Sequence, residues 1–249
     1  LEFMAKSIIL IPSRLAATRL PNKPLLKINN KTIISHVYDK AIESKIGDVW
    51  VATCDKAISD EIKKNGGKSI LTGSHHNTGT DRISEALTKI DIDDIDYVIN
   101  LQGDEPLIDI DDIKNLNNQA VANNSDLATL ACKINPDEKD KYINPNIVKV
   151  ITKDDLTNNR SSIALNFERV SNINIKNFRY HHIGIYIYKT HILKKFVEFQ
   201  QTENEMNYKL EQLRALDNNI DIDVVMAKNT PVGIDTEEDY IEIKNLMEY

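Results

Sequence analysis

Three cations in a stretch without carboxylates are the first chemistry this 249-residue chain offers. Arg14, Arg19 and Lys23 follow an apolar run at residues 8–11 that stops at Pro12, and Pro21 and Pro24 punctuate the loop that carries them. No acidic residue occurs between Phe3 and Tyr38, although the chain carries a formal charge of −7. A buried strand that opens into a loop of fixed cations is how an α/β fold presents charge to a polyanion, most often a triphosphate. Arginine supplies a planar fork for phosphate oxygens and lysine a mobile point charge. A solvated basic turn would explain the same letters without a ligand.

The carboxylates come later in the chain. An apolar segment at 97–101 runs into Gln102-Gly103-Asp104-Glu105-Pro106. A polar cluster just past a parallel strand lies at the carboxyl edge of the sheet, where α/β ligand sites form. A carboxylate there can hold Mg²⁺ against phosphate oxygens, or it can simply cap a helix. Asp235 ends Pro231-Val232-Gly233-Ile234-Asp235 and reads as a helix N-cap, with Glu238 as its capping-box partner. His75-His76 has metal-like letters, but adjacent histidines rarely hold one ion and no third ligand stands at helical spacing, which argues against zinc. Thr78, Gly79 and Arg82 read instead as a loop entering a helix, whose free N–H groups suit a base edge or an anion. His182 lies in a strand-like segment and Glu211-Gln212 in a helix-like one; by themselves, both fit structural roles.

The spelling of these segments resembles the CMP-Kdo synthetases, the 3-deoxy-manno-octulosonate cytidylyltransferases. Their N-terminal pattern is roughly I-I-P-A-R-x-x-S-T-R-L-P-x-K-P-L. Ile11-Pro12-Ser13-Arg14 and Thr18-Arg19-Leu20-Pro21-Asn22-Lys23-Pro24-Leu25 match it, with Ser13 and Ala17 as small-residue departures. The Gln-Gly-Asp-Glu-Pro string matches too. Thr78-Gly79-Thr80-Asp81-Arg82 is similar to the family's Ser-Gly-Thr-Glu-Arg, His181-His182-Ile183-Gly184-Ile185-Tyr186 to its Arg-His-Leu-Gly-Ile-Tyr, and Leu210–Arg214 to its Leu-Glu-Gln-Leu-Arg. The resemblance implies a doubly wound, mostly parallel α/β sheet of the nucleotidyltransferase type. It also implies transfer of CMP from CTP to the anomeric hydroxyl of 3-deoxy-D-manno-octulosonate (Kdo), with another acidic sugar or a catalytically weak nucleotide binder as alternatives.

Carried over residue by residue, the resemblance implies Arg14, Lys23 and Asp104 as catalytic residues. It implies Arg14, Arg19, Lys23, Thr78, Gly79, Arg82 and Gln102 toward the nucleotide, and His182, Tyr186, Glu211 and Gln212 toward the sugar. Asp104 and Asp235 would hold Mg²⁺. A homodimer is the expected assembly. One departure is expected at 161–167, where Ser162-Ile163 lacks the family's Phe-Ser-Arg and the Ile-Pro that follows it, which would weaken one side of the sugar pocket.

These residues need elements to position them. Alternating strand-like and helix-like segments fill the first half: strands at 8–11, 49–53, 69–71 and 97–101, and helices at 31–44, 55–65, 80–90 and 109–123. That order argues for a parallel sheet covered on both faces. The second half is less regular: strands at 127–134, 147–152, 183–188 and 220–227, and helices at 193–199, 208–216 and 236–249. Residues 135–180 read as a smaller inserted subdomain with possible dimer contacts, and Gly184 as a close backbone approach.

Composition bounds the rest. A hydrophobic share of 41% and a charged share of 28% are ordinary for a globular domain. The net negative charge argues against a nucleic-acid partner. No apolar run approaches bilayer length and no signal-peptide pattern is visible. Two distant cysteines, Cys54 and Cys132, suggest a reduced cytoplasmic protein. Leu1-Glu2-Phe3 ahead of Met4 reads as a vector remnant.

Overall fold

A computed structural model describes residues 5–16, 19–135, 137–170 and 178–248. Ala17 and Thr18 of the basic motif, and the N-terminal Leu-Glu-Phe-Met, lie outside the described residues. In chain order the elements are β1 (Ser7–Ser13), β2 (Lys27–Ile28), β3 (Lys31–Thr32), α1 (Ile33–Glu43), β4 (Val49–Thr53), α2 (Lys56–Lys64), β5 (Ser69–Leu71), α3 (Gly79–Lys89) and β6 (Tyr97–Asn100). There follow α4 (Ile110–Ala122), β7 (Leu127–Lys133), α5 (Lys139–Ile143), β8 (Lys149–Thr152), β9 (Ser162–Glu168), β10 (Phe178–Lys189), α6 (Thr190–Glu198), α7 (Glu203–Tyr208), α8 (Leu213–Asp217), β11 (Ile222–Met226) and α9 (Glu237–Glu248). The chain divides into two compact units, residues 1–111 with 231–249, and residues 112–230.

The first unit carries four parallel strands in the order β5-β4-β1-β6. Ile8, Ile9, Leu10 and Ile11 are all buried, so both faces of β1 are covered and its apolar run does not alternate. β1 continues through Pro12, which pairs with Ala52 of β4. On its other side, pairing with β6 ends at Leu10 opposite Asn100, so the missing proline N–H falls beyond the last rung. Strand β1 therefore reaches Ser13 before the basic loop begins. A small core of Ile28, Ile33, Ile234 and Ile243 joins the β2–β3 hairpin to α9, and the Tyr240 hydroxyl donates to the Lys27 carbonyl at 2.6 Å. That packing ties the chain around Asp235 to the chain around Lys23.

The second unit is not mostly parallel. Only β7 and β11 pair in parallel; β10–β7, β10–β8, β8–β9 and β9–β11 are antiparallel, and together these pairings close into a ring. Each strand of the ring thus has two neighbours, which removes the open edge that a small sheet would expose. The compact unit at 112–230 is wider than the 135–180 insert read from sequence, and β8 and β9 belong to its ring. Gly184 is not a close-approach glycine: no described heavy atom lies within 4 Å of where its Cβ would be. It sits instead at a β-bulge, where the register with β7 shifts between Ile183 and Tyr186.

Candidate active site

In the first unit the carboxyl ends of β1 and β6 and the N-terminus of α3 surround a cleft of about 410 Å³. This volume suits a small-molecule ligand. Every nucleotide-side residue expected from sequence lines it: Arg14, Arg19, Lys23, Thr78, Gly79, Arg82 and Gln102, along with both expected metal ligands, Asp104 and Asp235.

The glycines explain the close assembly. A Cβ on Gly79 would fall 3.0 Å from Pro12 Cγ, and one on Gly103 would fall 3.1 Å from the Pro12 carbonyl and 3.2 Å from Ile34 Cδ1. Side chains at these two positions would push the helix start and the Asp104 turn away from β1. The Thr78 hydroxyl accepts from the Asp81 N–H at 3.1 Å, an N-cap that orients the first turn of α3. Arg82 is buried, and its guanidinium donates to Thr72 Oγ1 at 2.6 Å and to the Gly73 carbonyl at 3.2 Å. It therefore fixes the loop after β5 while bordering the cleft.

The charges converge on Lys23. Its ammonium donates to Asp104 Oδ2 at 2.6 Å and to Asp235 Oδ1 at 3.3 Å, and Arg19 pairs with Asp235 Oδ2 at 3.2 Å. Two carboxylates from segments 131 residues apart thus face a single positive group. The Asp104 carbonyl also accepts from the Ile234 N–H at 2.9 Å, so backbone pairing holds the two aspartates together. Asp104 does not cap a helix, since α4 starts at Ile110 after an Asp109 turn. Nor is Asp235 the cap of α9. Thr236 Oγ1 accepts from the Asp239 N–H at 3.2 Å, and Asp239 accepts in return from the N–H groups of Thr236 and Asp235. With Asp239 rather than Glu238 closing the box, the Asp235 carboxylate is left to the cleft. Two hard oxygen donors converging on one cation are a donor set that suits Mg²⁺.

Sequence reasoning missed two neighbours. His76 lines the cleft, on the loop it shares with Thr78. Glu105, next to Asp104, has a buried oxygen with no hydrogen-bond partner, and burial, with Asp104 and Asp235 adding to it, pushes its carboxyl up to about 8. It therefore carries its proton at neutral pH and adds no third negative charge beside the pair. The string shows Glu105 beside Asp104, but the burial that raises its carboxyl most is a property of the fold.

The sugar-side residues all lie in the second unit. His182 on β10 is buried between Phe167 and Tyr186, with ring centroids 5.0 and 5.6 Å away. Burial, with neighbouring His181 adding to it, lowers its imidazole to about 3, so the ring is neutral. The Thr129 hydroxyl lies 2.8 Å from the Ile185 carbonyl and 3.0 Å from His182 Nε2. With its only proton given to the carbonyl, Thr129 accepts from Nε2–H, which leaves Nδ1 of His182 as an acceptor. Tyr186 is buried as well, and burial raises its phenol well above the usual range.

Glu211 and Gln212 are not on one helix spanning 208–216. α7 ends at Tyr208, Lys209 takes a left-handed conformation at φ 54°, and α8 begins only at Leu213. Both residues occupy the turn between. Arg214 and Glu205 pin that turn through a buried two-pronged pair at 2.7 and 2.5 Å.

The expected gap at Ser162-Ile163 has an alternative register a few residues on. Ile163 is an interior residue of β9, opposite Asp223 of β11. The Phe-x-Arg spelling recurs at the end of that strand as Phe167-Glu168-Arg169, with Phe167 buried against His182. The Arg169 guanidinium donates to the carbonyls of Tyr208, Pro145 and Lys209 at 2.8–3.0 Å. Arg169 is therefore a candidate for the family's arginine, with its donors directed to three backbone carbonyls.

Comparison with known proteins agrees with this geometry. A family model described as Cytidylyltransferase matches residues 8–222. The 3-deoxy-manno-octulosonate cytidylyltransferase of Thermodesulfovibrio yellowstonii is 43% identical over 243 residues, 94% of either chain. That of Brucella canis is 41% identical over 235 residues, covering 94% of this chain and 92% of its own. A solved CMP:2-keto-3-deoxy-manno-octonic acid synthetase complexed with CTP superimposes with a TM-score of 0.88 at 34% identity, over 98% of this chain and 99% of that one. A 4-diphosphocytidyl-2C-methyl-D-erythritol synthase from Anaerococcus prevotii, at TM-score 0.62 and 14% identity over 98% of this chain and 99% of its own, shares the fold alone.

Proposed function

The chain belongs to the 3-deoxy-manno-octulosonate cytidylyltransferases, and from that premise we propose that it transfers CMP from CTP to the anomeric hydroxyl of Kdo, releasing pyrophosphate. The observation that carries this reading is the cleft in which Arg14, Arg19 and Lys23 face the Asp104–Asp235 pair. Phosphoryl transfer needs little covalent help from a protein; positioning and charge neutralisation supply the rate.

Asp104 and Asp235 would hold Mg²⁺, which when bound neutralises phosphate charge and makes the attacking hydroxyl more acidic. Lys23 sits between the two carboxylates; were they to hold a divalent cation, its ammonium would be free to neutralise the triphosphate. Arg14 and Arg19 are exposed and reach phosphate oxygens from the loop. Thr78, Gly79 and the first turn of α3 offer N–H groups to the nucleotide, with Arg82 and Gln102 bordering it.

On the sugar side, His182, Tyr186, Glu211 and Gln212 orient the acceptor. His182 works as a neutral hydrogen-bonding group, not as a charge. If Arg169 fills the role of the family's arginine, the expected weakening of the Kdo pocket is reduced to the missing Ile-Pro, which would fall toward residues 171–177, outside the described residues. We further propose a homodimer in the cytoplasm, supplying activated Kdo for lipopolysaccharide synthesis; Ile143, Leu165, Val170 and Phe178, within 135–180, are exposed apolar side chains suited to a dimer surface. Among the described residues, no helix is long and apolar enough to cross a membrane. The test is pyrophosphate release from CTP with Kdo, sialic acid or no sugar. Turnover with Kdo alone supports the reading, and preference for sialic acid would replace the acceptor.

A further inference from the structure

The sequence argued against a zinc site on two grounds: adjacent histidines rarely hold one ion, and no third ligand stands at helical spacing. The fold supplies the third ligand, and with it a reason for the pair to act together. Glu85, on α3, stands beside the 73–78 loop, and the ligand atoms of His75, His76 and Glu85 all lie within 4.8 Å of one another. We propose that these three residues bind a late first-row divalent cation, Zn²⁺ foremost, at a site distinct from the Asp104–Asp235 pair.

The donor set is the first argument. Two imidazoles and one carboxylate suit Zn²⁺, whereas Mg²⁺ takes oxygen donors. Orientation is the second. The two rings lie 4.3 Å apart, tilted by 39°, and neither stacks flat on the other. His75 packs over Gly73, where a Cβ would fall 2.4 Å from its Cε1 and 2.5 Å from its Nδ1, so only glycine admits that ring position.

The carboxylate is also supported from behind. The Gly73 N–H lies 3.1 and 3.0 Å from the two oxygens of Glu85. Lys89 holds Oε1 at 2.5 Å, while Oε2 faces His76 in a close hydrogen bond. These outer partners hold a ligand in one orientation, as they do at established metal sites. A cation here would take the place of the close His76–Glu85 hydrogen bond and add the exposed His75 ring. The fourth position of a tetrahedral ion stays open to water or an anion. Because His76 borders the cleft, the ion would sit at its rim.

The test uses tag-free, chelator-treated protein titrated with Zn²⁺ by calorimetry and with Co²⁺ by visible absorption, in millimolar Mg²⁺ to occupy hard oxygen sites. One equivalent of Zn²⁺ with submicromolar affinity is expected. Exposed His75→Ala and, as a second variant, Glu85→Gln should each weaken it by at least the roughly 10- to 100-fold that follows loss of an outer partner of a metal ligand. The Asp104→Asn/Asp235→Asn double variant should bind Zn²⁺ unchanged. Absence of saturable binding at micromolar Zn²⁺ would overturn the proposal, and so would binding indifferent to His75→Ala or lost in the aspartate double variant.

Discussion

The two units gather their candidate site residues from opposite materials. The first collects exposed or half-buried charges on loops: Arg14, Arg19 and Lys23 against Asp104 and Asp235. The second collects mostly buried groups without formal charge, His182 and Tyr186 on one strand and Gln212 in a turn, with Glu211 as its one carboxylate. Charges in high dielectric are cheap to keep and attract a polyanion at range. Neutral buried donors and acceptors attract nothing at range, but they reject a ligand that leaves them unpaired. On the proposed reading, the first arrangement would serve affinity for a triphosphate, and the second would serve discrimination among sugars of similar charge.

The sharpest way to break that contrast is to remove one carboxylate from each unit. Glu205→Ala takes away the partner of a guanidinium that is itself buried, and it also removes the capping box of α7. Breaking a buried pair from one side destabilises by roughly 3–5 kcal/mol. The unfolding midpoint in urea should fall far below that of the parent chain. Asp104→Asn should leave that midpoint almost unmoved and strike turnover instead. Loss of one electrostatic contact to a developing charge is worth about 3–4 kcal/mol, a drop of a hundredfold or more in kcat. Pyrophosphate release and urea unfolding, run on both variants, should give opposite patterns. If both lose stability equally, the division into a charged, tolerant region and a buried, intolerant one is wrong.

The same division governs what could be read from sequence. The parallel half was legible because its strands are buried on both faces and appear as unbroken apolar runs between helices of regular period. The grouping of its cleft residues was legible through the family's spelling, since cations and prolines after a strand would also suit a solvated turn. β9 was not legible. Its pairing with β8 skips Leu165, so Ala164 and Phe167 are both buried three residues apart while Leu165 is exposed, and the period of two is lost. That bulge also hid the Phe167–Arg169 register. The break at Lys209 had no local signal, because a left-handed lysine is held there by its surroundings. The start of α7 did have one: Thr202 three residues before Glu205 spells a capping box. His75, His76 and Glu85 could be joined only by the fold.

A smaller effect separates the two regions by acid. His182 is held neutral in the folded chain, at about 3 against an ordinary 6.5, chiefly by burial; neighbouring His181 is lowered to about 4, chiefly by burial too. Between those values and 6.5 the unfolded chain binds more protons than the folded one. Stability contributed by these neutral rings is therefore complete above pH 6.5 and is lost as pH falls below it. Each such group contributes at most about 1.4 kcal/mol per pH unit. His182→Gln should flatten the fall of the melting temperature between pH 6.5 and 5 relative to the parent chain. An unchanged slope would show that His182 is already charged in the folded state and would remove the neutral-acceptor role assigned to it.

The smallest expected effect concerns how the charged region is positioned. Asp235 faces Lys23 and Arg19 because Thr236, not Asp235, caps α9, and because Asp239 accepts from the Asp235 and Thr236 N–H groups. Thr236→Ala removes the hydroxyl that accepts from Asp239 and leaves both aspartates in place. Loss of such a cap destabilises by roughly 1 kcal/mol. It also frees the alternative read from sequence, in which Asp235 turns back to cap the helix itself. A carboxylate recruited as a cap no longer faces the cleft. Thr236→Ala should therefore lower the melting temperature by a few degrees and raise the Mg²⁺ concentration needed for half-maximal turnover, with little change in the sugar requirement. A variant that loses stability but keeps its Mg²⁺ requirement would show that the backbone bond from Ile234 to Asp104, rather than the cap, aims Asp235 into the cleft.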